Sequence, residues 1–146
     1  MKLRIAWVGK TKERAVQDLT DEYLTRLSRY SQSEGRELKS EEALFEMLDK
    51  EPRKPTLVLL DQRGRQFTSE EFAELLNDQQ ERATALLIFA VGPADGFSEA
   101  ARHRANLILS FGKMTLAHEI ARVVLVEQLY RAFTILKGHP YHSGHK

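Results

Sequence analysis

Thr56-Leu57-Val58-Leu59-Leu60-Asp61 runs into a polar stretch, Gln62-Arg63-Gly64, and then into Phe67-Thr68-Ser69-Glu70-Glu71-Phe72. The first six residues form a compact apolar run with few polar interruptions, as expected for a strand buried on both faces of a parallel sheet. The polar stretch predicts a turn. Thr68 and Glu71 have the spacing of a capping box, and Phe67 and Phe72 fall at the staple positions on either side, so a helix start is marked there. Buried strand, turn and capped helix, in that order, are the repeating unit of an α/β fold.

The same rhythm extends in both directions. Upstream, Leu3 to Val8 reads as a strand stopped by Gly9, and Val16, Leu19, Tyr23, Leu24 and Leu27 recur at helical spacing through residues 13–29. Ser31 to Leu38 is polar and contains Gly35, so a strand here would be weak, short or at an edge. Ser40 can cap a helix carrying Leu44, Phe45, Met47 and Leu48, ended by Pro52 and Pro55. Downstream, Ala85 to Val91 is a second buried strand closed by Gly92-Pro93-Ala94-Asp95-Gly96, and Ser98 can cap a short helix to Ala105. Leu107 to Ser110 is a last short strand, and the longest helix runs from about Leu116 to Lys137, ended by Gly138 with Pro140 beyond.

These elements predict an α/β fold with a largely parallel sheet flanked by helices. The last helix carries Ile120, Val123, Val124, Leu125, Val126, Leu129, Tyr130, Phe133, Ile135 and Leu136, too many apolar positions for one stripe. A helix packed on the sheet and also on a second subunit satisfies this, as does a wholly internal one.

With 146 residues, 42% hydrophobic and 29% charged, the chain is expected to form one compact domain, residues 1–146, with a real core. It has no cysteine, so disulfides, cysteine metal sites and thiol nucleophiles are excluded, and a reducing cytoplasm fits. Met1 to Val8 lacks the apolar region of a signal peptide, and no run approaches the roughly 20 residues of a membrane span. A net charge of +1 argues against gripping nucleic acid by bulk electrostatics. Basic groups do gather near the ends: Lys2, Arg4, Lys10, Lys12 and Arg14 at one, Arg131, Lys137, His139, His142, His145 and Lys146 at the other.

Three loops follow carboxyl ends of strands: after Leu60, from Gly92, and from Phe111 to Thr115. Small ligands of open α/β sheets sit in the crevice at such ends. Glycine there lets backbone approach a flat ligand, and free N–H and C=O groups can read an adenine edge; ordinary turns would also use these glycines. The dinucleotide fingerprint Gly-x-Gly-x-x-Gly is missing. Gly9-Lys10-Thr11 is no phosphate-binding P-loop, because the glycine required five residues earlier is Arg4.

At the other end, His139-Pro140-Tyr141-His142 with His145 lacks a carboxylate or cysteine partner for a metal, so none is expected. A tail closing over a substrate suits it better, with stacking surfaces, hydrogen bonds and a proton acceptor. His118 and Arg122 lie four apart at the start of the long helix and are expected to face one pocket; His118 could equally cap or pack there.

Over nearly its whole length the chain resembles the bacterial large-subunit ribosomal RNA pseudouridine N3-methyltransferases, small members of the SPOUT class. The likeness rests on Leu60-Asp61-Gln62-Arg63-Gly64, on the loop Gly92 to Phe97, and on Leu109 through Lys113-Met114-Thr115. It continues through Leu125-Val126-Glu127-Gln128-Leu129-Tyr130-Arg131-Ala132 to His139-Pro140-Tyr141-His142. The resemblance implies a SPOUT-type α/β knot whose C-terminal segment forms a trefoil, one of the rare exceptions to unknotted topology.

It also implies S-adenosyl-L-methionine as cofactor, held by Leu60, Gly92, Phe111, Gly112, Lys113, Met114, Thr115 and Leu116, which lie on the three loops above. The implied partner is 23S ribosomal RNA within the assembled ribosome, the implied target N3 of pseudouridine 1915, and the implied assembly a homodimer in which each site is completed by the neighbour. In the expected direct methyl displacement, His142 or His139 relays the N3 proton, Tyr141 positions the base and Arg131 holds a phosphate or a uracil carbonyl; no metal takes part. Pro93 departs from the family, which usually has a second glycine there, and removes a backbone donor. A ribosome-binding factor with a vestigial cofactor pocket, or a small-molecule methyltransferase, would read similarly.

Overall fold

The computed structural model describes residues 1–143; Gly144, His145 and Lys146, with the basic tail character read at the last two, lie outside the described residues. Five strands alternate with five helices in these residues: β1 (Lys2–Val8), α1 (Arg14–Leu27), β2 (Gln32–Leu38), α2 (Glu41–Lys50), β3 (Thr56–Gln66), α3 (Ser69–Glu81), β4 (Leu86–Val91), α4 (Glu99–Arg104), β5 (Leu107–Ser110) and α5 (His118–Leu136). The strands lie in the order β2-β1-β4-β3-β5, and every pairing is parallel.

Side-chain alternation along the strands builds two cores. Leu3, Ile5 and Trp7 of β1 point with Leu87, Phe89 and Val91 of β4 into one cluster, which takes in Phe72 and Leu76 of α3 and Leu125, Leu129 and Phe133 of α5. Ala6 and Val8 point with Leu86, Ile88 and Ala90 to the opposite face, where Leu44, Met47 and Leu48 of α2 and Ala101 of α4 cover them. Every residue of β4 is buried, which is why this strand reads as a continuous apolar run. The helix starts follow their caps. Thr68 Oγ1 accepts the Glu71 N–H (3.0 Å) while Glu71 Oε1 accepts the Thr68 N–H (2.8 Å), and Ser40 and Ser98 cap α2 and α4.

β3 does not end at Asp61 as its apolar run predicts. Both Leu60 and Arg65 pair with Leu109, so residues 61–64 are pushed out of the ladder as a bulge, and pairing resumes at Arg65 and continues to Gln66 and Ser110. The second half of β3 is largely exposed and polar, so it carries no apolar alternation to read. At the crossing, a Cβ on Gly64 would stand 2.5 Å from the Ile108 carbonyl oxygen.

The uncertain segment is β2, a strand at the sheet edge in which only Leu38 is buried. Buried Arg4 ties it down, donating to Glu34 at 2.5 Å and to Glu51 at 2.8 Å. Desolvation raises the Glu34 carboxyl, but the hydrogen bond and charge of Arg4 outweigh it, leaving the group below its ordinary value. A depressed carboxyl contributes stability that is present above the unfolded-state value and lost as pH falls through the folded one. Glu34→Gln is therefore expected to lower the melting temperature at neutral pH, the gap from wild type closing towards about pH 3 in thermal melts across pH.

α5 lies between α1 and α3 against the sheet, which buries Leu125, Val126, Leu129, Tyr130 and Phe133. Internal packing thus accounts for most of its excess apolar residues. What stays uncovered near its start is Ile120, 50% exposed, beside Leu116 and Met114 in the preceding loop. No helix of the described residues is long and apolar enough to cross a membrane.

Candidate functional site

A cavity of about 440 Å³ opens at the carboxyl ends of β3, β4 and β5. Its walls are apolar, with Leu60, Val91, Leu109, Phe111, Leu116 and Ala121, and its rim carries Asp61, Gln62, Asp95, Thr115 and His118. This size and lining are those of a small-molecule site. Of the positions expected to hold the methyl donor, Leu60, Gly92, Phe111, Gly112, Met114, Thr115 and Leu116 line it; Lys113 is exposed and does not.

Two of the loops, the one after Leu60 and the one from Phe111, are pinned to one another. Thr115 Oγ1 donates to Gln62 Oε1 (2.9 Å), and Ser110 Oγ accepts the Gly112 N–H (3.0 Å) while lying 3.1 Å from the Gln62 carbonyl oxygen. Asp61 accepts the Arg63 backbone N–H at 2.9 Å and its guanidinium at 3.2 Å, and Arg102 stands 3.7 Å away. The Arg63 hydrogen bond, with the nearby cations, holds the Asp61 carboxyl below the usual carboxylate range, so it is an anion at neutral pH. Pro93 lines the cavity without a donor of its own, and its carbonyl accepts the Gly96 N–H (2.8 Å), closing the turn. A Cβ on Gly92 would stand 3.0 Å from the Phe97 ring, so the backbone here runs flush between ring and cavity.

His118 and Arg122 do face one hollow, a small one that they line with Trp7 and Thr11, but of the two only His118 also lines the large cavity. Four residues advance a helix about 6 Å along its axis and about 40° around it, and Arg122 turns under the β1–α1 loop. Its guanidinium lies 4.2 Å from the Trp7 ring centre and donates to Thr11 Oγ1 at 2.9 Å.

The expected catalytic residues form a separate cluster at the far end of α5. Arg131 makes a paired hydrogen bond with Glu127 (2.7 and 3.4 Å), whose carboxylate also accepts the Tyr141 hydroxyl at 2.9 Å. The Tyr141 ring packs edge-on to Tyr130 and beneath the Arg131 guanidinium, and its hydroxyl lies 3.2 Å from that of Tyr23. Burial, followed by the hydrogen bonds to Tyr23 and Glu127, pushes the Tyr141 phenol up, so it stays neutral.

Arg131 Nη1 lies 2.9 Å from His142 Nδ1, and Glu70 Oε1 lies 2.8 Å from its Nε2. Arginine only donates, which assigns the Nδ1 lone pair to Arg131 and the ring hydrogen to Nε2, facing Glu70. His139 Nδ1 likewise accepts the Tyr141 N–H at 3.1 Å. In this arrangement the Nδ1 lone pair of each histidine is already engaged.

Arg131, His139, Tyr141 and His142 are thus brought together, but none of them lines the cavity. Arg131 stands thirteen residues beyond His118 on α5, about 20 Å along the helix axis. Glu127 joins this cluster unannounced by the motif chemistry of the tail, its one sequence signal being the i, i+4 spacing of an ion pair with Arg131. Glu70, 72 residues from His142, left no such signal.

A family model described as "Predicted SPOUT methyltransferase" matches residues 1–142, and the chain belongs to the SPOUT methyltransferases. Within that class it is similar along its whole length to proteins named ribosomal RNA large subunit methyltransferase H. The one from Koribacter versatilis is 57% identical, covering 99% of this chain and 100% of its own, and the one from Geobacter sulfurreducens is 44% identical over 97% and 99%. Among solved structures, a probable methylase family protein from Haemophilus influenzae aligns with a TM-score of 0.60 at 12% identity, over 95% of this chain and 69% of its own. The SpoU methyltransferase AviRb from Streptomyces viridochromogenes, in complex with AdoMet, aligns at 0.52 and 10% identity, over 88% and 56%. At such identities the likeness is one of fold.

Proposed function

We propose that the protein is an S-adenosylmethionine-dependent methyltransferase acting on N3 of a pseudouridine of 23S ribosomal RNA, the nucleotide at position 1915, in the assembled ribosome of the cytoplasm. The observation that carries this reading is the cavity walled by three loops at the rim of the sheet, two of them cross-linked through Thr115 and Gln62, in a chain whose full-length relatives carry the ribosomal RNA methyltransferase name.

The residues present suit the cofactor. Apolar side chains from three strands can sandwich a purine, the backbone flush at Gly92 admits a flat edge, and Asp61 supplies an acceptor. When bound, the cofactor supplies a methyl group on a cationic sulfur, which departs as a neutral thioether. The chain's own work is alignment, exclusion of water and removal of the N3 proton. Leu60, Gly92 and the residues from Phe111 to Leu116 serve the first two tasks, Lys113 from the rim.

For the third, Arg131 holds a phosphate or uracil carbonyl, Tyr141 positions the base, and His142 or His139 relays the proton. Glu127 fixes both Arg131 and Tyr141. The Arg131 contact must loosen for His142 Nδ1 to take a proton. The separation of tail and cavity within one chain supports a homodimer in which one chain's tail completes its neighbour's cavity, and the exposed Ile120, Leu116 and Met114 are apolar surface for that contact. We read the close passage of the β3 bulge over β5 as part of the implied trefoil.

The deciding experiment supplies labelled S-adenosylmethionine to ribosomes lacking the modification and maps the labelled nucleotide. Label at N3 of the pseudouridine is expected. Binding without transfer would indicate a ribosome-binding factor, and transfer to small molecules without RNA a different substrate class.

A further inference from the structure

Arg122 is a buried cation with no counter-ion in contact among the described residues. It is 1% exposed, and among the described residues its Nε has no hydrogen-bond partner and its guanidinium forms no ion pair. Burial pushes its guanidinium below the ordinary value, and Glu119, Glu37 and Asp21 offset this only from a distance. Above it lies a hollow of about 10 Å³, lined by Trp7, Gly9, Lys10, Thr11, His118 and Glu119. That is room for a single water.

The loop that roofs this hollow already holds an oxyanion. The Glu119 carboxylate accepts the N–H groups of Lys12 and Glu13 at 3.1–3.2 Å, at the positive end of the fourteen-residue helix α1. α1 has no acidic residue in its first turn and no side-chain cap of its own. Lys10, Lys12 and Arg14 stand exposed around the loop and make no ion pair among the described residues. His118 lines both this hollow and the large cavity, so the loop sits directly beside the proposed site of methyl transfer.

We propose that the β1–α1 loop, residues 9–13, docks a phosphodiester group of the RNA substrate close to the target nucleotide. The proposal rests on the RNA reading above. Lys10, Lys12 and Arg14 meet the phosphate oxygens, Arg122 supplies positive potential from behind, and Glu119 keeps the loop in shape through its backbone. Such contacts fix register and orientation without reading a base. They also explain how a chain of net charge +1 holds RNA, since the positive charge is local.

The test is the salt dependence of binding to large ribosomal subunits that lack the methyl mark, together with methyl-transfer kinetics on the same particles. Lys10→Ala/Lys12→Ala is expected to reduce the slope of log affinity against log salt by about 0.7–1 per lysine removed. It should raise KM about tenfold with kcat and cofactor affinity unchanged. Lys10→Arg/Lys12→Arg should restore both, and Lys54→Ala, at the opposite rim of the sheet, should change neither. Unaltered slope and KM in the double alanine variant, equal losses in Lys54→Ala, or weakened cofactor binding would each overturn the proposal while wild-type transfer stands. Absence of transfer by the wild type would instead overturn the RNA reading, and this docking site with it.

Discussion

Gly64→Val is expected to cost about 3 kcal/mol or more of folding stability, enough to leave little folded protein. A Cβ at this position would stand 2.5 Å from the Ile108 carbonyl oxygen, 2.6 Å from its carbon and 2.8 Å from the Leu109 nitrogen. All three are backbone atoms of β5, so no rotamer change relieves the clash. β5 would have to move away from β3, breaking the pairing that carries Leu109 and, just beyond it, Phe111 into the cavity wall. Gly96→Ala is the matched control. Its Cβ meets open space and only its positive φ of 83° is strained, so a loss of about 1–2 kcal/mol is expected. Denaturant midpoints of the two variants compare them directly. Equal midpoints would show that the bulge relaxes freely and that its close passage over β5 is unimportant.

The second large effect separates cavity from tail. Gly92→Val should lower cofactor affinity at least about 100-fold in calorimetry, because the added carbons press on the Phe97 ring, a member of the second core, and displace the cavity wall. His142→Ala should bind cofactor normally and lose transfer by about 10²–10⁴-fold, the usual contribution of a proton-transfer group. Arg131, which the tail packs against, lies about 20 Å along α5 from His118 at the cavity of the same chain, so mixing the two inactive chains is informative. In the proposed homodimer, half of the dimers would pair a sound cavity with a sound tail at one of two sites, restoring about a quarter of wild-type activity. No recovery on mixing would place tail and cavity of one chain in the same site and overturn the shared arrangement.

The balance between what was legible and what was not follows the range of the interactions. The strands Leu3 to Val8 and Ala85 to Val91, the caps Ser40, Thr68 and Ser98 and the three loops at the rim of the sheet all rest on neighbours a few residues apart, and each leaves a local pattern. β2 left almost none, because its register comes from β1 and from Arg4. The second half of β3 was missed for the same reason, being held by β5 rather than by any apolar face of its own. Arg122 and His118 share helical spacing and one small hollow, yet only His118 also reaches the large cavity, since reach is decided by what packs against each side chain, and Trp7 and Thr11 hold Arg122 under the first loop.

By itself, then, the order of residues determined the alternating elements, the parallel sheet, the rim on which a ligand would sit and the chemistry gathered in Arg131, Tyr141 and the histidines. Only tertiary structure decided how far that cluster stands from the cavity, which nitrogen of His142 is engaged, that Glu127 and Glu70 belong with it, and that a cation lies buried under the first loop. The physical reason is that hydrophobic period and capping act over one or two helical turns, whereas hydrogen bonds and charge burial between residues 72 or 111 positions apart exist only once the chain has folded.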